Sequence, residues 1–259
     1  MSGPDGTRPM GFWDHMEALR TVLVRSAAIV GVGMLLCFAF AARLQDLLVQ
    51  PFSQAVHALG LQGTDAGRLA LLSPTEGFMV RLKIAFFAGL FLASPFVFWQ
   101  LWSFVAPGLH QRERRLVVPI TTIASLLFLA GAAVGWLAMG LATEFLLGFT
   151  TPDIANMWSL GSYLSFTVQI MMGLGLVFQL PLVLVFLVHL GILHTRQLAE
   201  KRRHAVVGIL VAVALLPMQD PMSLVLMSAP LYVLYELSIL VGRLLERRKA
   251  SASPGGLSA

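Results

Sequence analysis

Six apolar stretches without Asp, Glu, Lys or Arg constrain this chain more than any other feature. They run 26–42, 84–111, 116–143, 154–193, 205–219 and 221–235. A helix needs roughly 20 apolar residues to cross the hydrocarbon core of a bilayer. The runs therefore predict six membrane-spanning helices near 22–42, 79–103, 117–142, 162–190, 204–217 and 221–242. Composition agrees: 57% of the 259 residues are hydrophobic and 12% charged, against roughly 25% charged in a soluble domain. Too little polar surface remains to cover a soluble fold, which excludes a soluble enzyme or binding module. Disorder is excluded too, because 17 Phe and 12 Met sit largely in the long apolar runs. The single Cys37 lies inside such a run and reads as a small buried hydrophobe.

Orientation follows from the basic residues. Six spans would place fourteen Lys and Arg on the side of the termini, including Arg112, Arg114, Arg115, Lys201 and Arg202. Four remain opposite: Arg43, Arg68, Arg81 and Lys83. Cytoplasmic loops carry the excess of positive charge, so both termini are expected in the cytoplasm. The net charge of +5 is spread between spans and forms no patch for nucleic acid. Residues 1–20 are polar and do not read as a cleavable signal peptide. The expected organisation is a cytoplasmic segment 1–21, a membrane domain 22–242 and a disordered cytoplasmic tail 243–259.

The last two spans are expected to be short. Fifteen residues separate His204 from Asp220, roughly 22 Å of helix against a core of about 30 Å. The sixth run meets Glu236 early. Pro95, Pro119, Pro181 and Pro230 fall within or at the edges of spans. Each frees a backbone carbonyl that lipid cannot satisfy, which points to kinked helices in a packed bundle.

No catalytic set is legible. The six histidines are scattered without an i, i+4 metal pair. Ser165 and His189 share one span but lie 24 residues apart, roughly 36 Å along a helix. No nucleotide, metal or other cofactor is implied. The polar groups near lipid are more telling, since charge there is costly. Glu113, among Arg112, Arg114 and Arg115, is either a neutralised loop acid or the receiver of a cationic ligand. Glu17 precedes the first span, where the helix dipole alone would favour an acid. Gln179 serves either a partner or the carbonyl freed by Pro181. Asp220 could cap the sixth helix, and Glu236 must pair or reach the interface.

Taken in order along the chain, several motifs resemble the TatC family, the receptor subunit of the twin-arginine protein translocase. They are His15-Met16-Glu17-Ala18-Leu19-Arg20, Ser94-Pro95-Phe96, Trp99-Gln100-Leu101-Trp102, Phe104-Val105-Ala106-Pro107-Gly108-Leu109 and Glu113-Arg114-Arg115. Further along come Tyr163-Leu164-Ser165-Phe166, Phe178-Gln179-Leu180-Pro181, Asp220-Pro221, and Ala229-Pro230-Leu231 leading to Tyr235-Glu236.

The resemblance covers roughly residues 13–243 and implies a cupped six-span bundle. Such a subunit binds twin-arginine signal peptides of folded cargo, recruits single-span TatA/TatB-type subunits and self-associates in a larger complex within membrane lipid. The proton-motive force drives export across the bacterial cytoplasmic membrane. A six-span permease subunit for a small solute is the alternative. The resemblance implies signal-peptide contacts at Glu113, Glu17, Leu19, Arg20 and Phe104. It implies partner docking or intramembrane polar roles at Gln179, Pro181, Pro217, Asp220, Leu224 and Glu236. Departures from the family pattern are Ala18 and Gln179 where Glu is usual, Val22 for Arg, Pro217 in the turn before Asp220, and Leu224 for Gln.

Overall fold

The computed structural model describes residues 12–105, 117–148, 158–215 and 221–251. Nine α-helices are described, besides a 3-10 turn at Asp65–Gly67: α1 (Phe12–Ala39), α2 (Ala41–Ala58), α3 (Glu76–Val105), α4 (Val117–Leu147), α5 (Leu160–Val177), α6 (Leu180–His189), α7 (Thr195–Glu200), α8 (Arg202–Ala214) and α9 (Pro221–Ser251). Two two-residue strands, β1 (Leu69–Ala70) and β2 (Trp158–Ser159), pair in parallel at one end of the bundle. Among the described residues, five stretches are long and apolar enough to cross a membrane. They are His15–Ala39, Glu76–Phe104, Val117–Leu147, Leu160–His189 and Leu224–Glu246.

The remaining apolar run forms α8, which has 13 residues, about 20 Å. The expected short fifth span is therefore a short helix. The sixth is not short: α9 continues for 31 residues. Glu236 does not stop the helix, because its carboxylate is paired with Arg202 of α8. At the other end of the chain, α1 begins at Phe12, so residues 12–21 are helical and continuous with the first span. Cys37 is half-buried, lining a cleft and not the core.

Small residues decide how closely the spans pack. Along α4, Thr121, Ala124, Ser125, Phe128, Gly131, Ala132, Gly135, Ala138, Met139 and Ala142 are buried, the i, i+3, i+4 spacing of one helix face. A Cβ on Gly131 would lie 2.8 Å from Gly175 Cα and 2.8 Å from the Leu174 carbonyl oxygen. The backbones of α4 and α5 thus touch, which is how helices associate where lipid removes any hydrophobic drive. The same device joins α1 to α3, where a Cβ on Gly89 would come within 2.4 Å of Met34 N.

The carbonyls freed by Pro51 and Pro95 have named partners. Pro51 interrupts α2 and leaves the Leu47 carbonyl without its usual donor. The Trp136 indole of α4 donates to that carbonyl at 3.1 Å. Pro95 does the same to Phe91, and Ser94 Oγ donates to the Phe91 carbonyl at 2.7 Å. Buried α2 positions Leu48, Pro51, Phe52, Ala55 and Val56 form one face, with Phe52 against Trp158 and Tyr163. This amphipathic helix covers the β1/β2 end of the bundle.

Candidate functional site

Where α1 begins and α3 ends, the structure brings together residues from two of the motifs singled out in the sequence. The ring of His15 stacks on Phe104 with centroids 4.5 Å apart and a tilt of 32°. Ala18, Leu19, Val22, Ser26, Ile29, Val30 and Gly33 are buried or half-buried and continue this α3-facing side of α1. Glu17, Arg20 and Thr21 are exposed on the other side. Successive helical residues turn by about 100°, so Glu17 points away from Phe104, whereas position 18 lies on the inner flank. Neither Glu17 nor Arg20 has an ion pair among the described residues. Glu113, Pro217 and Asp220 lie outside the described residues.

Gln179 sits at the break between α5 and α6, where Pro181 occupies the first turn of α6. Its Nε2 donates to the Ala124 carbonyl of α4 at 3.0 Å. The hydrogen bond it makes is therefore an internal tie between α4 and the kinked fourth span. Pro181 is buried, and Leu224 is half-buried against the core.

Glu236 is held by a two-pronged ion pair. Arg202 Nε lies 2.9 Å from Oε1 and Nη2 lies 3.0 Å from Oε2, the geometry in which guanidinium binds carboxylate best. Tyr232 Oη also donates to Oε1 at 3.1 Å. Nearby, Tyr235 Oη donates to the Leu198 carbonyl at 2.7 Å. Glu246 accepts from Thr195 N at 3.0 Å and also from the Thr195 hydroxyl. Three contacts thus fasten α7 and the start of α8 to α9.

Glu76 is a structural residue that the sequence does not single out. Its carboxylate accepts from Leu72 N at 2.6 Å, Ser73 N at 3.3 Å, Gly161 N at 2.7 Å and the Ser159 hydroxyl. One side chain therefore serves donors ahead of α3 and at the start of α5, beside the β1/β2 pair. An acid just ahead of the predicted span 79–103 is the available signal; partners more than 80 positions away are not legible locally.

Between α1, α2, α3, α4 and α5 lies an apolar cleft of about 730 Å³, lined by Cys37, Leu44, Phe87, Phe91, Trp136 and Met171 among others. It gives the bundle a concave face.

Comparison with known proteins decides the family. A family model described as "Sec-independent protein translocase protein (TatC)" matches residues 14–230. The chain belongs to the TatC family. It is similar to the TatC protein of Carboxydothermus hydrogenoformans, 35% identical over 246 residues covering 94% of this chain and 97% of that protein. It is also similar to the chloroplastic TATC of Arabidopsis thaliana, 34% identical over 88% of this chain and 65% of that one. A crystal structure of the twin-arginine translocase receptor TatC superposes with a TM-score of 0.72 at 32% identity, covering 90% of this chain and 99% of that one. A second, in DDM, gives 0.73 over 88% and 99%. This TatC-family chain is accordingly a multi-pass membrane component of the Sec-independent, twin-arginine translocase. It is a transport receptor component and not an enzyme.

Proposed function

We propose that the chain crosses the bacterial cytoplasmic membrane six times, with α8 as the short fifth span and both termini in the cytoplasm. There it receives twin-arginine signal peptides and recruits single-span TatA/TatB-type subunits for export driven by the proton-motive force. The observation that carries the peptide reading is the His15–Phe104 stack. It supports a site in which the start of α1, with Glu17, Leu19 and Arg20, lies beside the end of α3 and hence beside the sequence leading to Glu113. A guanidinium pairs bidentately with a carboxylate whereas lysine is a point charge, which accounts for a demand for arginine. Arg20 is better suited to an acid or a lipid phosphate than to a cationic peptide.

Recruitment is supported by the outer side of α8, where Val207, Gly208, Val211 and Leu215 are exposed and a Cβ on Gly208 would meet nothing within 4 Å. A helix of about 20 Å mismatches a core of about 30 Å, and a mismatched edge is relieved by thinning or by association. Pro217, Asp220 and Leu224 would border that edge. Gln179 acts as a hydrogen-bonding anchor that does not titrate. The cleft's nearly wholly apolar lining disfavours the permease alternative, which needs a polar path.

The deciding experiment measures binding of a twin-arginine peptide and its twin-lysine control to membranes carrying the intact chain or Glu113→Gln. Glu113→Gln should weaken the arginine peptide by about 2 kcal/mol, roughly thirtyfold. Equal binding by both membranes overturns the assignment of Glu113, and equal binding of both peptides overturns the receptor reading.

A further inference from the structure

Near the Glu76 end of the bundle, a basic side chain enters the membrane without an acid. Lys83 Nζ donates to Ser165 Oγ at 3.0 Å, and Ser165 Oγ donates onward to the Gly161 carbonyl at 2.6 Å. No carboxylate pairs with Lys83 among the described residues. One helical turn further along the same flank of α5 lies Gln169, which is exposed and makes no hydrogen bond among the described residues.

Depth shows why this matters. The span Leu160–His189 has 30 residues, about 45 Å, so a core of about 30 Å centred on it begins about 7 Å from either end. Gln169 lies about 14 Å from Leu160, about 6 Å inside the hydrocarbon. Lys83 lies about 10 Å from Glu76, just within its boundary. The lysine stem could turn back toward the headgroups, yet it is directed sideways to α5. A lipid phosphate could answer the ammonium at the boundary. It could not reach the amide one turn deeper, where lipid offers only acyl chains and an unmet polar group is costly.

We propose that Lys83, Ser165 and Gln169 form a docking stripe for a second membrane helix. That helix carries a carboxylate near its end on the Glu76 side and a hydrogen-bonding side chain one turn deeper. Its carboxylate pairs with Lys83, and its deeper polar group meets the Gln169 amide. The stripe rests on the reading that this chain recruits single-span subunits, and it adds a face distinct from the outer side of α8.

The test uses the full chain co-expressed with its single-span subunits in native membranes, with a photocrosslinking residue at position 169 or, separately, at position 207 on α8. Position 169 is expected to capture a single-span subunit within one turn of an acidic residue. Lys83→Met should lower that yield about tenfold without changing capture at 207. Lys83→Glu should abolish it, and exchanging the partner's acid for lysine should restore it. Adducts at 169 with lipid alone, or capture indifferent to the charge at 83, overturn the proposal. Capture at 207 but not at 169 removes this stripe and leaves recruitment standing. Capture at neither removes both.

Discussion

The α4–α5 interface and the α7–α8–α9 end hold helices together by opposite means. The first is a contact of shapes: Gly131 and Gly175 bring two backbones together, and the Gln179 amide on Ala124 adds a side-chain tie where α5 gives way to α6. The second is a contact of charges and hydroxyls, with Arg202 on Glu236, Thr195 on Glu246 and Tyr235 on Leu198. Within lipid, apolar surface gains nothing by leaving lipid for protein, so close van der Waals fit carries association. Toward the membrane surface, water returns and directed polar contacts can register one helix on another. A mutation should therefore fail sterically in one region and electrostatically in the other.

The strongest way to break the contrast is Gly131→Leu, which forces a side chain into the backbone of α5. It should cost about 3 kcal/mol or prevent folding, as read by thermal unfolding in detergent. Gly140→Leu on the same helix, where a Cβ meets nothing within 4 Å, should stay within about 0.5 kcal/mol. Equal loss at both positions would mean that close fit does not distinguish this interface.

A smaller effect is expected from Glu236→Gln, which leaves Arg202 without its carboxylate. Arg202 is 46% exposed and Glu236 34%, so solvent screening limits the loss to about 1 kcal/mol. Hydrogen exchange should quicken in α7 and α8 but not in α4 or α5, and added salt should narrow the difference from the unmodified chain. Exchange that quickens throughout would deny the region its independence.

The smallest is Ser94→Ala, which strips the Phe91 carbonyl of its hydroxyl donor at Pro95. About 0.6 kcal/mol is expected, the usual worth of a hydrogen bond within a membrane bundle. Because Ser94 is buried within α3 and the bond carries no charge, the loss should not respond to salt.

These contrasts also separate what is legible in the sequence from what is not. Uncharged runs locate the five long spans because burial in lipid acts on every residue of a stretch. The length of α9 is not legible, because Glu236 looks like a stop until Arg202, 34 positions earlier, is brought beside it. Gln179 stands out in the sequence, but its acceptor Ala124 lies 55 positions away, and local reasoning offers only a partner or the carbonyl that Pro181 frees. Pro51 attracts no notice because it precedes no long apolar run, yet its freed carbonyl fixes Trp136. Where α1 begins, the pairing of His15 with Phe104 requires the antiparallel crossing of α1 and α3. The outward direction of Glu17 then follows from helical period alone, once that inner face is known.

The crossing at Gly33 and Gly89 has a mechanical consequence. It divides α1 unequally, with 18 residues back to His15 and six on to Ala39, arms of about 27 Å and 9 Å. Tilting about such a fulcrum multiplies motion threefold. A rotation of about ten degrees sweeps the His15 end through nearly 5 Å, while the far end shifts by less than 2 Å. The long arm carries Glu17 and Arg20, and the short arm ends beside the cleft that Cys37 lines. A modest adjustment at the cleft would thus become a larger displacement at the His15 end of α1.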